Sequence, residues 1–140
     1  MLIFTHSLGL VAVKQVVEIR HPEKYEYFNQ LKGWIAIAVA GVLPDLLSPH
    51  LSLADRYNSF SHSLIFTCVF LACCATFFAF LYRKPYGSLP VWCAAAYVLH
   101  LAEDMISGGI DFLASGHVPG EYYVPPMYWP LIDLYIIVIV

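Results

Sequence analysis

His100, Glu103, Asp104 and Ser107 stand at i, i+3, i+4 and i+7 in a stretch that is otherwise apolar. On an α-helix that spacing gathers all four onto one face. A histidine and an aspartate four residues apart project side by side. Imidazole nitrogen and carboxylate oxygen together suit zinc or a similar divalent ion. A carboxylate among apolar side chains is costly unless something offsets its charge, and a bound cation does so. An ion with one coordination position left open also turns bound water into hydroxide near neutral pH, which is the chemistry of hydrolysis.

Three further groups of the same kind sit in other apolar runs: His6, Asp45 and His62. Long apolar segments run from about Leu2 to Val17, Leu31 to Leu47, Ser61 to Tyr82 and Leu89 to Ile106. Each approaches the roughly 20 residues of a membrane-spanning helix. A fifth run, Leu131 to Val140, is too short to cross and reads as a half-helix. With short connections between antiparallel neighbours, the expected fold is all-α. It is an integral membrane, up-and-down helical bundle of four helices plus a short C-terminal half-helix, and residues 1–140 form one domain. The opening "MLIFTHSLGLVAVKQVV" has no basic stretch ahead of its apolar run and reads as a retained first helix.

Composition points the same way. Of 140 residues, 60% are hydrophobic and 12% charged, about half the charged share of an ordinary soluble domain. Mean hydropathy is +0.69. A net charge of −3 with seven Lys and Arg excludes nucleic acid as the expected partner, leaving the lipid bilayer. Cys68, Cys73, Cys74 and Cys93 lie in apolar runs without metal-ligand spacing and read as small hydrophobes. Arg20, Lys24 and Lys32 fall between the first and second segments, and Arg83 and Lys84 between the third and fourth. Arg56 stands alone on the other side, so the positive-inside rule puts the N-terminus outside the cytoplasm. Threaded through such a bundle, His6, Asp45, His62, His100 and Asp104 all fall in the outer leaflet, on four helices. Three histidines and two aspartates suffice for one closed metal site, or for two sites bridged by a carboxylate.

The motifs "THSLG" (Thr5–Gly9), "LPDLLSP" (Leu43–Pro49), "SHSL" (Ser61–Leu64) and "YVLHLAED" (Tyr97–Asp104) occur in that order. Together they resemble the LexA-regulated, inner-membrane-bound predicted metal-dependent hydrolases of bacteria, up to Ser107–Gly109. A more distant likeness is to zinc-dependent phospholipases C and single-strand nucleases, which order His, Asp, His and His-xxx-Asp similarly. The resemblance implies that Asp45, His62, His100 and Asp104 hold one ion and that Asp104 bridges to a second carrying His6. It implies hydrolysis of a phosphoester or ester, with a lipid favoured by the depth of the site. Arg56, or the second ion, would stabilise the developing negative charge. Here "DRYNSFSHS" sets Arg56 two positions earlier than the family's "HRGxTHS" pattern does.

Glu103 reads as an acceptor for a histidine N–H or as a general base. His117 and Glu121 echo a further ligand pair, although Pro119 and Gly120 interrupt any helix aligning them. Asp133, just after Pro130, reads as a helix cap, and His21 and His50 as solvated loop residues. Two rivals use the same residues differently. A metal or proton conduit would need polar groups continuing inward, where the sequence offers little beyond Lys14 and Gln15. A structural membrane subunit would use the cluster only to fix helix packing.

Overall fold

The computed structural model describes residues 3–20, 30–49, 59–81, 87–106, 108–116 and 128–139. Among them every regular element is helical: α1 (Ile3–Arg20), α2 (Gln30–Leu47), a 3-10 turn (Phe60–His62), α3 (Leu64–Leu81), α4 (Leu89–Ile106) and α5 (Trp129–Ile139). The first four α-helices have 18 residues each, about 27 Å at 1.5 Å per residue.

The center of the packing is α4, which touches α1, α2 and α3. Sequence explains the closeness. Gly33, Ile37, Ala40, Gly41 and Pro44 are the buried residues of α2, a mostly small stripe at helical spacing. Across from them lie the alanines of α4, of which Ala96 is buried. Small residues let two helix backbones approach closely where lipid offers no hydrophobic drive to association. Val11, Ile37, Ala40 and Ala96 form the resulting core, with Trp34, Trp92 and Phe70 against it.

The helices α2 and α4 run parallel. At one end the Cys93 thiol reaches the Ala36 carbonyl at 3.8 Å, and at the other Asp45 meets His100. By contrast α3 runs antiparallel to α4. His62, just before α3, meets His100, Phe70 stacks on Tyr97 at 4.4 Å, and Cys74 and Phe78 line a groove with Pro90 and Ala94. Of α3 itself only Thr67 is buried. Ile65, Val69, Phe77 and Phe80 are all more than half exposed. A helix of mean hydropathy 2.5 that turns such a surface outward is suited to hydrocarbon, not water. Among the described residues two helices, Leu64–Leu81 and Leu89–Ile106, are long and apolar enough to cross a membrane.

Three boundaries differ from the sequence reading. α1 continues past Val17 to Arg20, through the charged residue Glu18. The third segment is not one helix from Ser61. Ser63 is extended (φ −82°, ψ 155°), and its hydroxyl accepts the Phe66 N–H at 3.3 Å, so Ser63 caps α3 and His62 stays on the preceding turn. The helix α5 starts at Trp129, with no acidic residue in its first turn. Asp133 therefore lies a turn too far in to cap it, because the unpaired N–H groups belong to the first turn.

One buried feature was not anticipated. Lys14 and Glu18, both buried, form an i,i+4 ion pair on α1. Glu18→Gln leaves the Lys14 charge buried and is expected to cost about 3–5 kcal/mol of stability. The measurement is the melting temperature in detergent, and the double variant Lys14→Met/Glu18→Leu should recover most of the loss. Equal destabilisation by the single and double variants would contradict this account of the pair.

Candidate metal centre

Asp45, His62 and the pair His100 and Asp104 arrive from three differently shaped local structures. Pro44 interrupts the last turn of α2, since it has no N–H to give the Ala40 carbonyl, and Asp45 follows it. His62 ends the 3-10 turn, which is held at both edges. Ser61 Oγ donates to the Pro44 carbonyl at 2.6 Å, and Tyr97 Oη donates to the Ser61 carbonyl. Tyr97 lies nearly one turn before His100 on α4, so the same helix that supplies two of the acid–base groups also anchors the third.

The C-terminal end of α4 is closed by a glycine pair. Gly109 N–H reaches the Asp104 carbonyl at 2.9 Å, with φ of 149° at Gly108 and 82° at Gly109. Such angles suit glycine and strain other residues. The turn then inserts Ile110, fully buried, against Tyr97 and Leu101, and the Phe112 carbonyl accepts the Leu64 N–H at 2.8 Å. Thus the segment after α4 straps the start of α3 to the end of α4.

These constraints bring four side chains to one point. His62 Nε2 lies 3.0 Å from Asp104 Oδ2, 3.3 Å from His100 Nε2 and 3.5 Å from Asp45 Oδ1. His100 Nε2 lies 3.3 Å from Asp104 Oδ2 and 3.7 Å from Asp45 Oδ1. One ligand atom from each residue lies within 4.8 Å of all the others. Bonds of about 2.0–2.1 Å to a tetrahedral ion set neighbouring ligand atoms roughly 3.3 Å apart. The five His–His and His–Asp spacings, 3.0–3.7 Å, bracket that figure, and the two carboxylates lie within 4.8 Å of each other. The donor set fits too: two imidazoles and two carboxylates are common zinc ligands, and the charges of two adjacent carboxylates call for a cation. Burial alone would lower the pKa of His62, which precedes the α3 span. Hydrogen bonds to Asp104 and Asp45, reinforced by their charges, outweigh burial and raise it above the ordinary 6.5.

His100 and Asp104 are almost inaccessible, whereas the Asp45 side chain is 18% exposed and forms the open side of the group. Glu103, half-buried beside Asp104, is not a member of the four. His6 belongs to the second turn region of α1, but its side chain lies outside the described residues, as do Arg56, Ser107, His117, Glu121, His21 and His50. Sequence reasoning missed Ser59, Ser61, Tyr97 and Ile110. Only the serine run around His62, "SFSHS", hinted at the first two.

An apolar helical protein with a buried His/Asp cluster at one end of its packed helices is, by class, a membrane protein with a candidate metal centre. The chain belongs to the YdjM inner membrane protein family, whose model matches residues 1–138. Comparison with curated proteins and with solved structures finds no match.

The cluster's own repulsion gives a check. Asp45→Asn removes one of two neighbouring carboxylates. At a pH above the raised pKa of His62, where Asp45 pairs with no imidazolium there, chelator-treated protein should therefore melt no lower than wild type. The same variant should lose the melting-temperature rise that divalent metal gives the wild type. A lower melting temperature without metal, together with an intact metal response, would contradict the assignment of Asp45 as a ligand.

Proposed function

We propose that this protein is a membrane-bound, metal-dependent hydrolase acting on a phosphoester or ester, with a lipid as the favoured substrate class. The single observation that supports it most is the convergence of one ligand atom each from Asp45, His62, His100 and Asp104 to within 4.8 Å of one another. Asp45, His62, His100 and Asp104 would hold a divalent ion, zinc being the best match to the donors. It would supply Lewis acidity, and hydroxide at neutral pH only if one position, on the partly exposed Asp45 side, is left to water. The residues divide the remaining tasks. Buried His100 and Asp104 hold a fixed wall, and partly exposed Asp45 faces the side from which substrate and water arrive. Glu103, next to Asp104, is assigned to accept a proton or a histidine N–H. His6, with Asp104, would hold a second ion, and Arg56 would stabilise the developing negative charge.

In this reading α1 to α4 all cross the bilayer as an up-and-down bundle, and the metal end faces outward. Support comes from the basic residues: Arg20, Lys24, Lys32, Arg83 and Lys84 fall on one side and Arg56 alone on the other. A conduit is disfavoured by the interior below the cluster. Val11, Ile37, Ala40 and Ala96 make that layer apolar, and the buried ions beyond it, Lys14 and Glu18, face each other.

Detergent-purified protein replete with zinc is expected to hold about one or two equivalents per chain. It should hydrolyse a phospholipid or a model phosphodiester, and His100→Ala should lose both properties. Wild-type protein that takes up no divalent metal after exhaustive repletion would refute the reading. Metal uptake without hydrolysis of any ester would leave a metal-binding protein and remove the enzyme.

Orientation is checked separately. A cysteine replacing Ser115, which is exposed beyond α4, is introduced after removal of Cys68, Cys73, Cys74 and Cys93. It should react with a membrane-impermeant thiol reagent in intact spheroplasts. Labelling only after lysis would place the metal end on the cytoplasmic side.

A further inference from the structure

We propose that a relay of two serine hydroxyls, starting at the Pro44 carbonyl, fixes the tautomer of His62. It holds the hydrogen on Nδ1 and presents Nε2 to Asp45, His100 and Asp104. The purpose of the relay rests on the metal-centre reading; its geometry does not.

The direction follows from counting hydrogens. A backbone carbonyl only accepts, so Ser61 Oγ, 2.6 Å from the Pro44 oxygen, commits its one hydrogen there. Ser59 Oγ lies 2.9 Å from Ser61 Oγ, whose hydrogen is already used, so Ser59 donates in that pair. With its own hydrogen committed, Ser59 Oγ can only accept from His62 Nδ1, at 2.8 Å. The longer 3.4 Å contact of Ser61 Oγ with the same nitrogen has the same sense. Nδ1 therefore keeps its hydrogen whether the ring is neutral or cationic. When the ring is cationic, Nε2 also carries a hydrogen and donates to Asp104 at 3.0 Å. When it is neutral, the relay leaves the lone pair on Nε2, where a cation shared with Asp104 or a hydrogen from His100 Nε2, 3.3 Å away, would meet it.

A metal-ligating imidazole needs its lone pair on the nitrogen that faces the ion, and the hydrogen bond at the other nitrogen decides which that is. The relay is well anchored for this task. Ser61 is wholly buried and held from two directions, by its hydroxyl on α2 and by its carbonyl under the Tyr97 hydroxyl of α4. The backbone N–H of His62 also donates to the Ser59 carbonyl at 3.2 Å, which keeps the turn closed. Ser59 and Ser61 are thus positioning residues: they act on a bound ion only through His62.

The test is nitrogen-15 NMR of histidine-labelled, metal-free protein at a pH where His62 is neutral, combined with zinc and cobalt titrations. Wild type should show the Nδ1–H tautomer at His62. Ser61→Ala frees the Ser59 hydrogen to turn toward Nδ1, so an Nε2–H population should appear although Ser59 is untouched. Ser59→Ala should weaken zinc binding by about 10- to 100-fold, the usual effect of losing such a partner. Ser59→Thr, which keeps the hydroxyl, should restore both affinity and tautomer. An Nε2–H tautomer in the wild type overturns the relay outright. So does a Ser59→Ala protein with unchanged tautomer and unchanged affinity. A wild type that shows Nδ1–H and responds to Ser61→Ala, yet binds no metal, upholds the relay and ends the metal reading.

Discussion

Two carboxylates, Asp45 and Asp104, and two imidazoles, His62 and His100, are held within 4.8 Å of one another in a chain with few charges. Desolvated carboxylates at that spacing repel, and the low dielectric of an apolar bundle magnifies the repulsion. The fold must therefore supply enough packing to force the groups together, and the groups must gain something by meeting. Most of the local irregularities serve the first need. The proline in α2, the 3-10 turn before α3 and the glycine pair after α4 are departures from regular helix, and each borders the cluster. Irregular backbone in a membrane protein is tolerated where its polar groups are satisfied within the protein. Here the Pro44 and Ser61 carbonyls receive side-chain hydroxyls, and the Asp104 carbonyl receives a backbone N–H.

The second need points to a cation. Pairwise histidine–carboxylate hydrogen bonds would satisfy two partners at a time. The arrangement instead sets both Nε2 atoms 3.3 Å apart, each near the same Asp104 oxygen and the same Asp45 oxygen. Convergence on one point is the geometry of shared coordination.

Function and membrane embedding are coupled through α3. The helix is apolar almost all round and scarcely buried, and besides packing on α4 it is tied at its start by the 3-10 turn and Leu64. That turn is tied to α2 through Ser61, to α4 through Tyr97 and to the loop after α4 through Leu64. An apolar helix with one firmly bound end keeps His62 in register with Asp45, His100 and Asp104, while its exposed face is suited to hydrocarbon.

Much of this was legible in the sequence. Composition and long apolar runs set the helical membrane class, because those properties are sums over many residues and do not depend on which side chains touch. The i, i+4 pair of His100 and Asp104 was equally secure, since one helix fixes their adjacency. The meeting of Asp45 and His62 with that pair was expected from their shared level in a bundle, and at that level of detail the tertiary structure agrees. What only the tertiary structure decided were the angles and partners. Ser63 captures the Phe66 N–H and moves His62 off the helix, and a carbonyl 17 residues away in α2 orders the hydrogens of Ser61 and Ser59. Neither follows from periodicity, for a capping hydroxyl and a long-range hydrogen bond depend on ångström-scale placement that local sequence does not encode. The burial of Lys14 with Glu18 is of the same kind: sequence put both on one face of α1, and only the packing of neighbouring helices made that face an interior one.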